Sequence, residues 1–203
     1  HYASSYGILG YLSRFKPLIL SVWGSDLYYF PNQGIFNKMI MKQVINYSSK
    51  ICSTSNAMKK VIESDYNRFD VNVVPFGIDI NQFQPKTSSH SKFIVGTIKS
   101  IEDHNGIDCL IDAAKLVMDR NYNEINFLIV GDGTLKEKMQ KKVFDLNLNN
   151  NVKFTGHVSH EKVIEYFHSL SVFIAMSTRE SFGVSILEAA ACGIPSITSN
   201  VGG

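Results

Sequence analysis

Two glutamates near the end of the chain, Glu180 and Glu188, have the side chains and spacing best suited to chemistry. An apolar run over 171–176 comes before them and predicts a buried parallel strand, and an alanine-rich segment over about 182–191 predicts a helix. Ligands of parallel sheets bind where strands end and helices begin. The helix start would offer backbone N–H groups and a positive dipole end to an anion, and Gly183 would allow close approach to the backbone.

This spacing suggests a separate role for each glutamate. Glu180 would hold the hydroxyls of a sugar, and the helix start would hold a diphosphate. Glu188, about two turns into the predicted helix and roughly 9 Å along its axis, would hold the ribose diol of a nucleotide. A carboxylate that accepts two vicinal hydroxyls forms charge-assisted hydrogen bonds. The alternative is a chance pair, since helices often carry a surface glutamate without a role.

Residues 180–195, E-S-F-G-V-S-I-L-E-A-A-A-C-G-I-P, resemble the signature of family 4 (group 1) glycosyltransferases. These are retaining enzymes of the GT-B architecture that use nucleotide-sugar donors. The resemblance implies that Glu180 contacts the donor hexose and that Glu188 binds the ribose. It also implies that the amides of Phe182 and Gly183 touch sugar and phosphate.

The composition is that of an ordinary globular protein. The chain has 203 residues, of which 44% are hydrophobic, so it can bury a core. Its net charge of +2, without a long charge run, argues against a nucleic-acid partner. The three cysteines, at 52, 109 and 192, lie singly in apolar surroundings, which favours a reducing compartment over a disulfide scaffold or metal site. Because the chain begins at His1 rather than Met and ends at Gly203, within a stretch that continues this resemblance, we expect an internal fragment.

Strand and helix patterns alternate along the chain and predict an α/β protein with parallel sheets. A polar run over 86–91 predicts a linker. The resemblance implies a GT-B fold with two Rossmann-like domains, the first incomplete and the second lacking its C-terminal end. Residues 1–85 would form the C-terminal part of an acceptor-side domain, and residues 92–203 a truncated donor-binding domain.

The predicted strand over 17–23 ends in Gly-Ser-Asp, in the expected ligand crevice, although most such loops are only turns. The family often has His-Gly-(Ser/Thr)-Asp here, with the histidine near the reacting carbon. In this chain Trp23 occupies the histidine position, while Asp26 matches and is implied to be catalytic. His1 is a candidate substitute for the histidine, although a terminal histidine is often incidental. Further along, Phe76 stands where the family usually has asparagine.

The segment Gly96-Thr-Ile-Lys99 ends the first strand of the second region. Gly96 would let backbone amides approach a phosphate, and Lys99 would stabilise the charge on a departing diphosphate. A solvated loop lysine is the alternative. The resemblance places a second basic residue where this chain has His104, whose imidazole can donate a hydrogen bond but lacks a fixed charge.

The segment Val130-Gly-Asp-Gly-Thr134 resembles a G-D-G-P loop that lies close to the nucleotide in the family. We therefore expect Gly131 and Gly133 to line the donor pocket. The segment 154–157 resembles a family segment that holds the base. Since no Asp-x-Asp motif occurs, we expect neither a metal nor a cofactor, with the diphosphate neutralised by Lys99, His104 and the helix start.

The sequence thus predicts transfer of a glycosyl group from a nucleoside-diphosphate sugar to a hydroxyl acceptor, with retention. The resemblance implies polysaccharide, glycolipid or glycoconjugate synthesis, with a sugar or lipid-linked acceptor. It also implies a cytoplasmic site with peripheral association at the inner membrane face. Three alternatives stay open: a glycosidase with Glu180 and Glu188 as its acid–nucleophile pair, a sugar-nucleotide epimerase of the same architecture, and a non-catalytic nucleotide-sugar binding module. The fragment alone could be inactive.

Overall fold

The computed structural model describes residues 1–86 and 92–202, which form two compact units. Unit 1 comprises His1–Gly77, Glu180–Gly183 and Gly202, and unit 2 comprises Ile78–Arg179 and Val184–Val201. Residues 78–85 thus join the second unit, where Phe83 is buried and its ring centroid lies 6.0 Å from that of Phe167. Of the predicted linker, residues 87–91 lie outside the described residues.

Unit 1 is built on a three-stranded parallel sheet in the order β1-β2-β3. Its strands are β1 (Ile19–Val22), β2 (Lys50–Ser53) and β3 (Val71–Val73). Its α-helices are α1 (Ile8–Leu12), α2 (Ser25–Tyr28), α3 (Ile35–Tyr47) and α4 (Asn56–Tyr66), with a π-helical turn at Ala3–Gly7 and a 3-10 turn at Phe30–Gln33.

Local sequence signals explain the longer helices of unit 1. In α3 the apolar side chains of Met41, Val44 and Ile45 are fully buried against the sheet core. The α4 helix begins after Ser55, whose hydroxyl accepts a hydrogen bond from the main-chain N–H of Met58 at 3.2 Å and so caps the helix. The short helix α2 is a difference, because the Gly-Ser-Asp segment was expected to be a loop.

Unit 2 is built on a five-stranded parallel sheet in the order β6-β5-β4-β7-β8. Its strands are β4 (Phe93–Ile98), β5 (Ile125–Val130), β6 (Val152–Gly156), β7 (Val172–Ala175) and β8 (Ser196–Thr198). Its helices are α5 (Ile107–Asp119), α6 (Lys136–Asp145), α7 (His160–Ser169) and α8 (Val184–Ala191), with a 3-10 turn at Asp103–Asn105.

β4 lies at the centre of the sheet. The chain adds β5 and β6 on one side of β4, and then β7 and β8 on the other side. The order therefore reverses between β4 and β7, and the crevice at such a switch point is where open α/β sheets bind ligands. Two core clusters, one containing Ile129 and the other Val130, cover the sheet through alternate residues of β5. The predicted α/β fold with parallel sheets is thus confirmed.

The start of α8 corrects the sequence prediction. The helix begins at Val184 rather than Phe182, because Gly183 has φ +85° and lies in left-handed backbone. Among residues 1–86 and 92–202, no helix combines the length and apolarity needed to cross a bilayer.

Candidate active site

The loop that carries Glu180 is packed within unit 1. The ring of Phe182 lies 5.8 Å from that of Phe76, edge to face. A Cβ added to Gly202 would lie 2.2 Å from the carbonyl oxygen of Glu180, so only glycine fits there. Glu180 itself is half-buried. Packing therefore fixes the main chain at Glu180 and at Phe182, two residues later.

Phe182 and Gly183 come before α8, so their amides belong to the loop and not to the first helical turn. Glu188 is the fifth residue of the helix, about 6 Å along the axis from Val184. The expectation that Glu188 lies about two turns into the helix was wrong, because that distance was counted from a helix start at residue 182, two residues too early.

Asp26 lies in unit 1 and is fully buried at the start of α2. Its carboxylate accepts hydrogen bonds from the main-chain N–H groups of Ala3 at 2.9 Å, Gly24 at 2.9 Å and Trp23 at 3.1 Å. Both oxygens therefore hold the backbone around β1. The geometry gives Asp26 a positioning role for this loop, and its contact with substrate stays a prediction.

Trp23, at the position where the family has histidine, follows β1 directly and is 41% exposed. The ring of His1 lies 5.4 Å away at a tilt, and that of Phe76 lies 5.6 Å away in a T-shaped contact. The two departures from the family pattern, Trp23 and Phe76, are therefore in direct contact.

In unit 2, Lys99 stands at the switch point between β4 and β7. Its ammonium group donates a hydrogen bond to the hydroxyl of Ser177 at 3.0 Å. Ser177 is buried and follows β7, and its carbonyl oxygen accepts a bond from the hydroxyl of Ser199. Lys99 is half-buried, which places a positive charge at the edge of the sheet where ligands of this fold bind.

His104 lies in the 3-10 turn of the same loop and is half-buried. Its carbonyl oxygen accepts a hydrogen bond from the main-chain N–H of Thr178 at 2.8 Å. A Cβ added to Gly106 would lie 1.9 Å from the carbonyl oxygen of Met176. The loop after β4 and the loop after β7 therefore touch through their backbones, and they bring Lys99 and His104 to the same end of the sheet.

The glycines predicted to approach the donor have packing roles in this structure. A Cβ on Gly131 would lie 2.1 Å from the carbonyl oxygen of Lys99, and a Cβ on Gly133 would lie 2.4 Å from that of Ile101. Gly96 lies inside β4, where a Cβ would meet Leu170 at 2.6 Å. Close contact between protein segments accounts for all three glycines without a ligand, and their donor contacts stay predictions.

Glu188 is half-buried on α8, and burial raises the pKa of its carboxyl group. The nearby imidazole of His160, at the start of α7, partly offsets this rise. Glu188 in turn helps burial to raise the pKa of the Cys192 thiol one turn later. A partly desolvated carboxylate gains much from new hydrogen-bond donors, such as a vicinal diol.

Sequence reasoning missed the contact between Glu102 and Thr134, which ties two strand-end loops together. The Glu102 carboxylate accepts bonds from the main-chain N–H of Thr134 at 2.9 Å and from its hydroxyl at 2.6 Å. These bonds lower the pKa of Glu102. Sequence reasoning also missed Ser177, although its position directly after a buried strand was a usable signal. In the described part of the chain, no cluster of three His, Cys, Asp or Glu side chains could hold a metal ion.

Two family models match the chain. The model for glycosyl transferases group 1 matches residues 79–203, which is more than half of the chain. The model for glycosyl transferase 4-like proteins matches residues 1–55. The first match includes Lys99, His104, Glu180 and Glu188, and the second includes Trp23 and Asp26.

Curated relatives and solved structures agree with these matches. A 2-deoxystreptamine N-acetyl-D-glucosaminyltransferase of Niallia circulans is 34% identical over 118 residues, 58% of this chain and 30% of its own length. An uncharacterized glycosyltransferase of Methanocaldococcus jannaschii is 28% identical over the whole chain, which spans 55% of that protein. The crystal structure of Anabaena HepE with UDP and glucose aligns with a TM-score of 0.82 at 22% identity, over 98% of this chain and 56% of that one.

The chain thus spans 30% and 55% of the lengths of these two curated relatives. At 22% identity, the structural likeness shows the fold alone. The fold, the switch-point loops and the match over residues 79–203 lead to one conclusion. The chain belongs to the glycosyl transferases group 1 family.

Proposed function

We propose that the protein transfers a glycosyl group from a nucleoside-diphosphate sugar to a hydroxyl acceptor with retention at the anomeric carbon. The observation that carries this proposal is the position of Lys99. Its ammonium group is held by the buried Ser177 at the switch point of the unit 2 sheet. A fixed positive charge there would stabilise the negative charge that grows on a departing diphosphate.

Glu188 supports the nucleotide half of the donor. Its half-buried carboxylate lacks full solvation, so two ribose hydroxyls would replace lost hydrogen bonds with charge-assisted ones. Glu180, on a loop fixed by its neighbours, would bind hydroxyls of the donor sugar. The solved structure of Anabaena HepE contains UDP and glucose, which are the two halves of such a donor.

We further propose that His104 assists with the diphosphate and that turnover needs no divalent cation. The acceptor is a hydroxyl of a sugar or a lipid-linked sugar. With a lipid-linked acceptor, the protein would work in the cytoplasm at the inner membrane face, in polysaccharide, glycolipid or glycoconjugate synthesis.

Calorimetric titration with UDP, GDP and ADP tests the nucleotide site. We expect one of the three to bind, and we expect Glu188→Gln to weaken that binding about tenfold, because it removes a charged acceptor from two hydroxyls. Glu161→Gln, at an exposed position on α7 of the same unit, is the matched control and should leave affinity unchanged. Equal affinity in wild type and Glu188→Gln would contradict the ribose role.

A transfer assay with donor and acceptor tests the reaction, with the anomeric configuration of the product read by NMR. Retention with turnover in the presence of EDTA is the expected result. Epimer formation without acceptor would indicate an epimerase, and donor binding without turnover would indicate a binding module. Hydrolysis of a simple glycoside without nucleotide would indicate a glycosidase.

A further inference from the structure

Unit 1 holds a row of aromatic rings that the proposed donor chemistry does not use. Trp23, Phe76 and Phe182 form this aromatic row, with ring centroids 5.6 Å and 5.8 Å apart. The interplanar angles are 83° and 85°, so each ring meets the next edge to face. His1 lies against the other side of Trp23 at 5.4 Å. Such edge-to-face contacts each contribute to a fixed arrangement of the rings.

Hydrogen bonds and packing fix the backbone that carries Trp23. Its main-chain N–H donates to the buried carboxylate of Asp26, which also binds Gly24. Gly24 has φ +145°, a conformation that L-residues rarely adopt, and a Cβ there would lie 3.0 Å from Ser181. The backbone below the indole ring is therefore held in one conformation.

Despite contacts on two sides, the Trp23 side chain stays 41% exposed. Its two neighbours in the chain are less exposed, since Val22 is fully buried and Gly24 is buried. Trp23 also lies at the carboxyl end of β1, the end at which parallel sheets bind ligands. A rigid, partly open indole at this place is suited to contact with a flat, partly apolar molecule.

The chemistry of an exposed indole ring favours a sugar. A pyranose has an apolar face of C–H groups and a rim of hydroxyls. The negative face of an aromatic ring attracts the weakly positive C–H hydrogens. Ser25, two residues after Trp23 in the chain, has a hydroxyl that hydrogen-bonds the hydroxyl of Tyr2, and such hydroxyls can exchange bonds with the rim of a sugar.

We propose that the aromatic row is a stacking platform for the pyranose ring of the glycosyl acceptor. Trp23 touches the sugar, and Phe76 positions Trp23. The proposal rests on the proposed function, since it names the class of acceptor for that reaction. Unit 1 supplies the platform through residues at the carboxyl end of its own sheet.

Fluorescence gives a direct test, because Trp23 is the only tryptophan among the 203 residues. Methyl β-D-glucopyranoside and N-acetylglucosamine are added in millimolar steps, with sorbitol as an open-chain control that has hydroxyls but no ring face. We expect a saturable blue shift of the emission with at least one pyranose and none with sorbitol. A shift with UDP alone would assign the ring to the donor and overturn the proposal.

Kinetics with saturating donor provide the second readout. Trp23→Ala should raise the acceptor KM about tenfold and leave the donor KM unchanged, since one stacked ring is worth about 1.4 kcal/mol. Trp23→Phe should restore most of the loss, and Phe76→Leu should give a smaller rise. Phe36→Ala, at a 76% exposed position on α3, is the matched control for the loss of a surface ring.

The outcomes separate the two proposals. If a nucleotide binds and transfer occurs, but no pyranose alters the emission and Trp23→Ala keeps its acceptor KM, the platform is wrong and the proposed function stands. If no nucleotide binds, the proposed function itself fails. If Trp23→Ala does not fold, the emission of the wild-type chain with added pyranoses still decides whether the platform exists.

Discussion

The loop after β1 in unit 1 and the loop after β4 in unit 2 both lie at the carboxyl end of a parallel strand, yet they use their charged residues in opposite ways. In unit 1 the acidic Asp26 is buried on three backbone amides, and the aromatic Trp23 faces solvent. In the loop after β4 the buried polar residue is the neutral Asn105, and the cationic Lys99 stays half-exposed.

The difference shows that residue type alone does not separate a ligand-binding group from a structural one. Asn105 bonds both the carbonyl oxygen and the hydroxyl of Ser100 at 2.9 Å, so an amide braces the second loop. In the loop after β1, the carboxylate of Asp26 stabilises the backbone in the same way. We therefore expect loss of the Asp26 carboxylate to affect stability and loss of the Lys99 ammonium to affect turnover.

Asp26→Ala should have the largest effect. The change leaves three main-chain N–H groups without their buried acceptor, which should lower the free energy of unfolding by on the order of 4 kcal/mol. Urea denaturation followed by circular dichroism measures this loss. Asp79→Ala is the control, since Asp79 is exposed and its carboxylate accepts a hydrogen bond from the main-chain N–H of Asn81. Equal stability of the two variants would remove the structural role of Asp26 and restore it as a candidate for direct catalysis.

Gly131→Ala should destabilise unit 2 by about 3 kcal/mol, because the new Cβ would overlap the Lys99 carbonyl oxygen in strained backbone at φ +141°. Gly77→Ala has no heavy atom within 4 Å of its added Cβ and serves as the control. Thermal unfolding checks both. If Gly131→Ala is stable but binds the nucleotide poorly, the glycine serves the ligand, and the packing explanation is wrong.

Lys99→Met should lower kcat about a hundredfold, equivalent to about 2.7 kcal/mol, with little change in unfolding free energy. Methionine nearly keeps the volume of the side chain and removes its charge together with the hydrogen bond to Ser177. Lys142→Met is a matched control, since Lys142 binds Asp112 and the main-chain carbonyl of Asp108, and neither contact involves Lys99 or Ser177. A loss of stability in Lys99→Met equal to that in Asp26→Ala would remove the contrast between the two loops.

The pH dependence of nucleotide binding should be the smallest effect, about fivefold. The raised pKa of Glu188 means that its carboxylate takes up a proton at higher pH than an ordinary glutamate. Affinity should therefore fall as pH decreases through that pKa, because the protonated group is a poorer acceptor. His160→Gln removes a positive neighbour and should move the fall to higher pH. Calorimetry on both proteins measures it, and Glu188→Gln should show no such dependence.

Much of the fold followed from sequence periodicity. The α3 helix and the β5 strand follow clear sequence patterns, because apolar residues recur at helical spacing over Ile35–Tyr47 and only Asn126 interrupts the apolar run over Ile125–Val130. The start of α8 was misplaced by two residues. The apolar pattern of the helix includes Phe182, but the left-handed backbone of Gly183 excludes Phe182 from the helix. The contact of Phe182 with Phe76, 106 positions earlier, has no local signal.

The sequence by itself determined the order of strands and helices, the signature glutamates and the strand-end lysine, because these depend on residues close together in the chain. Tertiary structure decided how those residues are used. It joined Lys99 to Ser177 across 78 positions, placed Glu188 beside His160, and turned Asp26 inward while Trp23 stayed open. The physical reason is that burial and hydrogen-bond partners arise from contacts between distant segments, and these set whether a polar side chain holds the backbone or faces a ligand.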